Sequence, residues 1–275
     1  MIDPLILLPV LTYPDASQTP ALCNALAIAR ALDGRVSAII HEVDIPPVRS
    51  LIPMLGDHVE AMALQAELSS RSSGDRLLLR LHDMAKAGPP LQVSTLETRI
   101  EQAGDTIAAL ARIYDLVVMP SDERDELGIG AAVLFGSGGP VILAPAIDVS
   151  INLDHVMIAW DGSRAAARAV RDASDIVARA KSVSIVSIID DKLVERACLS
   201  GLTELLAHRG IAAKQLEASR GKTPIGEMLQ DFAISRGAGI LVMGAYGHSR
   251  LREFVLGGAT RDVIRDTRLP VFMSH

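Results

Sequence analysis

Glycines punctuate one stretch near the end of the chain, Leu241–Thr260, which reads LVMGAYGHSRLREFVLGGAT. Gly244 follows a short apolar run typical of a strand, Gly247 comes three positions later, and the pair Gly257-Gly258 precedes a helix-like run. Glycines let backbone N–H groups approach an anion closely. The first turn of the helix adds unpaired donors and a positive dipole end. The stretch is therefore a candidate phosphate-binding loop.

The glycine spacing separates this loop from two common phosphate-binding motifs. No Gly-Lys-Ser/Thr follows, as a Walker loop requires, and the glycines are too far apart for GxGxxG. A purely structural role also stays open. In that case Gly244 and Gly247 turn a loop, and Gly257-Gly258 begin a helix that packs tightly on a strand.

The elements that must position this loop alternate between strand and helix patterns along the whole chain. Such alternation is typical of a parallel α/β sheet covered by helices. The predicted strands are Leu5–Val10, Arg35–Val43, Leu91–Thr98, Asp115–Met119, Val141–Ala144, Val156–Trp160, Val183–Ile189, Ala212–Leu216, Gly239–Met243 and Val271–Met273. The predicted helices are Thr19–Leu32, Leu51–Lys86 (with a break at Ser69–Gly74), Gln102–Tyr114, Gly130–Phe135, Ala165–Ala180, Val194–His208, Pro224–Ser235 and one after Gly258.

The order of elements repeats once, which predicts two domains of one fold rather than a solenoid. Val117-Val118-Met119-Pro120 aligns with Leu241-Val242-Met243-Gly244, and Pro140-Val141 aligns with Pro270-Val271. We place the domains at residues 1–148 and 153–275, with Pro145–Asp154 as a linker short enough to keep them in contact. The closing strand Val271–Met273 leaves an edge that pairs either within the chain or between chains.

Ligands of open α/β sheets bind beyond the carboxyl ends of the strands, where the strand order reverses. In the second half Asp161 ends the first strand, and its carboxylate can accept hydrogen bonds from a ribose hydroxyl or an adenine amine. Ala159 and Ile188 can form an apolar wall against a flat base. The alternative for Asp161 is to cap the following helix, in competition with Ser163.

The first half has lost these features. Leu11 stands in the place of Asp161, and residues 120–126 replace the glycine loop with the acidic sequence PSDERDE. Four carboxylates would repel phosphate, so we expect no phosphate-bearing ligand to bind in this half.

The second half resembles the universal stress protein family. The resemblance rests on Gly-x2-Gly-x9-Gly between the fourth strand and last helix, within VMGAYGHSRLREFVLGGATRDVIRDTRLPVFM, and extends over nearly the whole chain as a tandem member. It implies two adenine-nucleotide-hydrolase-like (Rossmann-like) domains, each a five-stranded, mainly parallel sheet flanked by helices. It also implies ATP, with Mg²⁺ as a companion, as the ligand. The residues implied to bind it are Ala159, Asp161, Ile188, Met243, Gly244, Gly247, Gly257, Gly258, Ala259 and Thr260.

One position departs from the family pattern. The ATP-binding members usually carry Ser or Thr directly after the third glycine, where this chain has Gly258. The departure removes a hydroxyl contact to phosphate and keeps the backbone donors.

Composition restricts the other classes of function. Residues 1–150 carry 19 acidic and 10 basic side chains, against 14 and 17 in residues 151–275. An acidic half beside a mildly basic one argues against nucleic-acid binding and suits an anionic ligand in the second half.

No signal peptide or membrane-spanning run is visible. Cys23 and Cys198 have no metal or redox spacing, and we expect them to be buried in a cytoplasmic protein.

No nucleophile, acid/base pair or metal motif emerges from the sequence. His248, Arg250 and Arg252 lie in the glycine loop, where a phosphate contact and plain exposure both remain open. We therefore expect no catalytic residue and at most slow, incidental ATP hydrolysis. The expected role is a ligand-dependent stress sensor whose first half serves as an intramolecular pseudo-dimer partner, with a homodimer as a further state. The alternatives are a scaffold that binds no nucleotide and an ATP pyrophosphatase, whose SGGxDS-type loop is missing at Asp161-Gly162-Ser163-Arg164.

Overall fold

The structure is a computed structural model that describes residues 3–46, 53–121, 128–190, 196–245 and 258–275. Strands and helices alternate through both halves, as predicted. The first half contains β1 (Leu5–Leu11), α1 (Thr19–Ala31), β2 (Arg35–Asp44), α2 (Pro53–Ala85), β3 (Leu91–Arg99), α3 (Ala103–Ala111), β4 (Leu116–Pro120), α4 (Ile129–Gly136) and β5 (Val141–Ala144). The second contains β6 (His155–Ala159), α5 (Arg164–Asp172), α6 (Ser174–Arg179), β7 (Ser182–Ile188), α7 (Arg196–His208), β8 (Ala213–Ala218), α8 (Ile225–Ser235), β9 (Ile240–Gly244), α9 (Gly258–Arg265) and β10 (Val271–Ser274).

The strands of both halves join into one ten-stranded sheet, in the order β3-β2-β1-β4-β5-β10-β9-β6-β7-β8. Within each half all neighbouring strands are parallel, which confirms the predicted five-stranded units. The two units meet where β5 and β10 pair antiparallel, with Val141 opposite Met273 and Leu143 opposite Val271. The edge that the sequence left open therefore pairs within the chain.

Helices cover both faces of the sheet, so its strands are largely continuous apolar runs. One core cluster packs α1, α2, α5, α6 and α7 on one face, and a second packs α3, α4, α8 and α9 on the other. All four residues of β5 and all four of β10 are buried. The join between the halves is therefore part of the core.

Matching glycines show that the two halves repeat one helix packing. Gly104 is the second residue of α3, and a Cβ there would lie 2.7 Å from the Ala132 side chain in α4. Gly226 is the second residue of α8, and a Cβ there would lie 2.6 Å from the Ala259 carbonyl in α9. Each helix pair thus approaches more closely than a side chain allows.

Two polar contacts tie the halves and the segment between them. The buried Asn24 of α1 donates from Nδ2 to the carbonyls of Pro145 and Ile147, at 2.9 and 2.8 Å. Arg179 of α6 forms an ion pair with Asp33 of the first half at 2.9 Å. The stretch between β5 and β6 is thereby held on the first half.

The predicted break in the long helix is wrong. α2 runs unbroken through Ser69–Gly74, because Ser70 and Ser73 are buried against the sheet rather than exposed in a hinge. The Ser70 hydroxyl accepts from the Val43 backbone N–H at 3.0 Å and shares a 2.6 Å hydrogen bond with Thr12. Serines with such partners remain compatible with a helix interior.

Two smaller predictions also need correction. The single helix predicted at Ala165–Ala180 divides at the buried Ala173, although i→i−4 hydrogen bonds continue on both sides of it. Cys23 and Cys198, expected to be buried, are both exposed free thiols. Cys23 lies between the buried Leu22 and Asn24 of α1 and points to the outer side of that helix.

Within the described ranges, no helix is both long enough and apolar enough to cross a membrane.

Candidate functional site

The strand order of the second half reverses at β6, which lies between β7 and β9. The register places Ile158 opposite Val242 on β9 and Ala159 opposite Val186 on β7. One step further along, the ends of all three strands form the edge where α/β proteins bind ligands. We call this edge the candidate site, and the predicted residues of β6, β7 and β9 meet there.

The apolar residues predicted to face a base share one side of the sheet. Ala159 and Ile188 are half-buried and pack against the core cluster that contains the buried Met243. Three aliphatic side chains from three neighbouring strands therefore line the same face of the edge. These side chains form an apolar surface on which a flat ring could lie.

Asp161 lies in the turn that follows β6. Its Oδ1 accepts the Ser163 backbone N–H at 2.9 Å, and Ser163 Oγ accepts the Ala166 N–H at 3.1 Å as the N-cap of α5. Ser163, not Asp161, is therefore the cap. A carboxylate can accept about four hydrogen bonds, so Asp161 retains capacity for a ligand hydroxyl or amine.

Gly244 is glycine because of helix packing. A Cβ there would lie 2.4 Å from the backbone nitrogen of Ala166 and 2.5 Å from the carbonyl carbon of Ala165. The first turn of α5 thus lies directly against the end of β9. Helix N-termini attract anions through their unpaired N–H groups and dipole. Gly247, His248, Arg250, Arg252 and Gly257 lie outside the described residues.

The first turn of α9 provides a second helix N-terminus beyond the carboxyl ends of the strands. Gly258 is exposed, and among the described residues no atom lies within 4 Å of a Cβ added there. Ala259 is half-buried and Thr260 is buried, so the turn is anchored on one side. α8 also holds this turn of α9, since the Gly226 N–H donates to Asp262 Oδ2 at 3.3 Å.

Asp190 is a structural residue of this edge that the sequence reasoning did not single out. Its carboxylate accepts the backbone N–H groups of Arg220 and Gly221 and the Ser219 hydroxyl, at 2.8 to 2.9 Å. Led by the Arg220 N–H, these bonds lower the pKa of Asp190 to about 2. Asp190 therefore joins the loop after β7 to the loop after β8. The positive φ of Gly221 supports this turn, but a contact over 30 residues leaves no local sequence signal.

Two buried polar atoms beside the site, Trp160 Nε1 and Ser274 Oγ, have no hydrogen-bond partner in the described part of the chain. Trp160 is the single tryptophan of the protein and directly precedes Asp161. Its backbone is fixed, because its N–H donates to Val186 and its carbonyl accepts from Ser187 Oγ. The indole is thus a natural fluorescent reporter of this edge.

The matching edge of the first half is closed by its own side chains. Leu11, in the place of Asp161, is buried, and so is Thr12. Thr12 Oγ1 donates to the His41 carbonyl at 2.7 Å and contacts Ser70 of α2, while His41 Nε2 bonds to Thr98. The acidic stretch 122–127 lies outside the described residues. In the ranges that are described, no three His, Cys, Asp or Glu side chains cluster to hold a metal ion.

The chain is similar to known proteins in sequence and in fold. Residues 152–275 match the model of the Universal stress protein family. A universal stress protein of Synechocystis sp. is 33% identical over 75 residues, which are 25% of this chain and 26% of that protein. The matched stretch therefore spans about a quarter of that relative.

Solved structures match the fold over almost the full length. A universal stress protein from Archaeoglobus fulgidus superimposes with a TM-score of 0.68 at 19% identity, covering 98% of this chain and 96% of that one. A protein of unknown function from Pseudomonas aeruginosa gives a TM-score of 0.55 at 14% identity, covering 98% and 92%. Residues 152–275 are therefore similar in sequence to the universal stress protein family, and the whole chain shares the fold of these solved structures.

Proposed function

We propose that the second half binds ATP, or a related adenine nucleotide, at the candidate site and that the protein is a ligand-dependent sensor in the stress response. The observation that carries this proposal is the packing at Gly244, which holds the first turn of α5 against the end of β9. That packing holds the turn with Asp161 against the end of β9, next to the aliphatic face. The N–H groups at the start of α9 are the donors for phosphate in this proposal. Donors for phosphate, an acceptor for ribose and a surface for the base are the three parts that an adenine nucleotide needs.

Each part of the nucleotide has an assigned partner in this proposal. The base lies on Ala159 and Ile188, the ribose hydroxyls donate to Asp161, and the phosphates receive N–H groups from the start of α9. Mg²⁺ accompanies the triphosphate and is held mainly by phosphate oxygens and water, as is usual for this ion. Such a site needs no cluster of protein carboxylates.

The proposed role is regulatory rather than catalytic. The described edge offers a carboxylate and backbone amides, and we assign no nucleophile or general base among them. ATP hydrolysis is therefore at most slow and incidental. The first half is a pseudo-dimer partner that binds no nucleotide, a homodimer of the chain is a further expected state, and the exposed thiols of Cys23 and Cys198 suit a reducing cytoplasm.

Fluorescence of Trp160 and calorimetry with ATP and Mg²⁺ test the proposal. We expect one site per chain and an Asp161→Ala variant whose affinity is about 13- to 160-fold weaker, because hydrogen bonds to a charged group contribute about 1.5–3 kcal/mol. Asp148→Ala is the matched control, since it removes an exposed carboxylate of the segment between β5 and β6. We expect it to bind as the wild type does.

A nucleotide-free scaffold is the second candidate function. It is favoured by Gly258, which offers no hydroxyl to phosphate at the exposed start of α9. A folded sample that shows no heat and no fluorescence change at millimolar ATP would establish this alternative and refute the nucleotide site.

A further inference from the structure

Ala245, the residue after β9, is fixed on both sides of its backbone by the end of β10. Its N–H donates to the Ser274 carbonyl at 2.8 Å. Its carbonyl lies 3.2 Å from Nδ1 of His275. Because a carbonyl can only accept, the imidazole carries a proton on Nδ1 and donates it. The side chain of His275 therefore extends the strand pairing at the candidate site by one hydrogen bond.

The same imidazole touches the other half of the molecule. The Phe135 ring of α4 meets the His275 ring edge to face, with centroids 5.0 Å apart and planes at 90°. An edge-to-face contact is a favourable geometry for two aromatic rings. The exposed imidazole is thus held between the first half and the end of β9.

A second contact reaches the site from the same part of the first half. Arg168 of α5 donates from Nη2 to the Gly138 carbonyl at 3.3 Å, in the turn between α4 and β5. α5 is the helix whose first turn lies against Gly244. The turn after α4 therefore contacts α5 directly, and the end of α4 reaches the residue after β9 through His275.

We infer that His275 is a positioning residue, which fixes the end of β9 and couples the candidate site to α4 of the first half. Phe135 sets the orientation of the imidazole, and the imidazole holds the carbonyl of Ala245. The relevance of this coupling to ATP rests on the proposed function, whereas the coupling itself does not. Because coupling is reciprocal, a ligand that orders the end of β9 also protects α4.

Hydrogen exchange of the full-length protein, without ligand, tests the coupling directly. We expect His275→Ala to raise the exchange rate of the Ala245 amide about 2- to 13-fold, the value of one net hydrogen bond. His275→Asn is the matched control, because its side-chain amide can donate from nearly the position of Nδ1. We expect it to restore most of the protection.

The variant that distinguishes coupling from local packing is Phe135→Leu, which keeps an apolar side chain in α4. We expect faster exchange at Ala245 as well as in α4. The inference is overturned if His275→Ala leaves Ala245 unchanged, if His275→Asn behaves as the alanine variant does, or if the effect of Phe135→Leu stays within the first half.

ATP titration of the same variants separates this inference from the proposed function. If the wild type binds ATP, we expect His275→Ala to weaken binding by a factor similar to the rise in exchange, and ATP to slow exchange in α4. If the wild type binds none, the nucleotide proposal fails, while the exchange of the ligand-free variants still decides whether His275 couples the halves.

Discussion

Packing requires a glycine at some positions around the candidate site and not at others, although these glycines look alike in the sequence. Gly244 is enforced by the backbone of α5, and Gly226 by the backbone of α9. Gly258 is enforced by nothing in the described structure: its surroundings are open and its φ lies outside the left-handed region. Of the three, only Gly258 can accept a side chain without cost, and it is the position where the family pattern has a hydroxyl.

Gly258→Ser tests whether that missing hydroxyl matters. The side chain has room, so we expect the free energy of unfolding to change by no more than about 0.5 kcal/mol. If phosphate binds at the start of α9, a new hydroxyl donor should tighten ATP binding about 2- to 13-fold. Calorimetry and urea unfolding measure the two effects.

Gly258→Ala is the matched control for this change, because it adds the Cβ without the hydroxyl. We expect its affinity for ATP to remain close to that of the wild type. A serine variant that binds no better than the alanine variant would contradict a phosphate contact at this position.

The sequence predicted that the residues after β6, β7 and β9 lie at one edge of the sheet, but not all of their hydrogen-bond partners. Asp161 and Ser163 were both candidates for the N-cap of α5. Ser163 is the N-cap, because its hydroxyl accepts the Ala166 N–H. The role of Asp190 was not predicted, because its partners lie about 30 residues away in another loop. Chain periodicity reports which face is buried, and it carries no record of contacts between loops.

Among the elements, the strands were predicted most accurately, because a short continuous apolar run bounded by turn residues is typical of a buried parallel strand. The errors concern helices. The serine-rich middle of α2 looked like a break. However, the Ser70 hydroxyl is hydrogen-bonded to Thr12, in the connection between β1 and α1, and to Val43 of β2. Whether a serine bends a helix depends on what it faces, which sequence pattern alone does not reveal.

Gly226→Ala tests the close packing of α8 on α9. The added Cβ would lie 2.6 Å from the Ala259 carbonyl and 2.6 Å from the Asp262 side chain. Since one contact is backbone, the helices must separate, and we expect a loss of about 1–3 kcal/mol in urea unfolding. The start of α9 should move with it, so ATP binding should weaken too.

Gly201→Ala is the control for the helix-propensity effect of the same substitution. Gly201 lies within α7, and a Cβ there meets no atom of the described part of the chain within 4 Å. Alanine should therefore stabilise the protein by about 0.5–1 kcal/mol. Equal stabilisation by Gly226→Ala would show that α8 and α9 do not pack as closely as described.

At the scale of the whole molecule, the antiparallel pairing of β5 and β10 turns two similar halves into one sheet. Apolar patterning predicted each five-stranded unit, but an exposed edge strand has equal hydrogen-bonding capacity for any other edge. The choice of partner follows from the short connection between β5 and β6, which keeps the two edges of one chain together. The halves have also diverged in charge, with formal net charges of −9 for residues 1–150 and +3 for residues 151–275.

The pH dependence of stability should report the closed edge of the first half. Burial lowers the pKa of His41, which is 1% exposed and bonded to Thr98, below its ordinary value of 6.5. The unfolded chain therefore takes up a proton at a higher pH than the folded protein does. Stability from this residue is fully present above pH 6.5 and is lost as the pH falls from there toward the lowered folded pKa.

His41→Gln should remove this loss, because glutamine does not titrate and its Nε2 can still reach the Thr98 hydroxyl. We expect the wild type to lose stability in urea unfolding between pH 6.5 and 5 by about 1.4 kcal/mol for each unit by which the pKa is lowered, and the variant to lose less. Thr98→Val keeps the imidazole and removes its hydrogen-bond partner. Its free energy of unfolding should therefore be lower than that of the wild type and should still fall in acid. Parallel curves for wild type and His41→Gln would mean that the folded protein admits the charged imidazole, and hence that this edge opens to water.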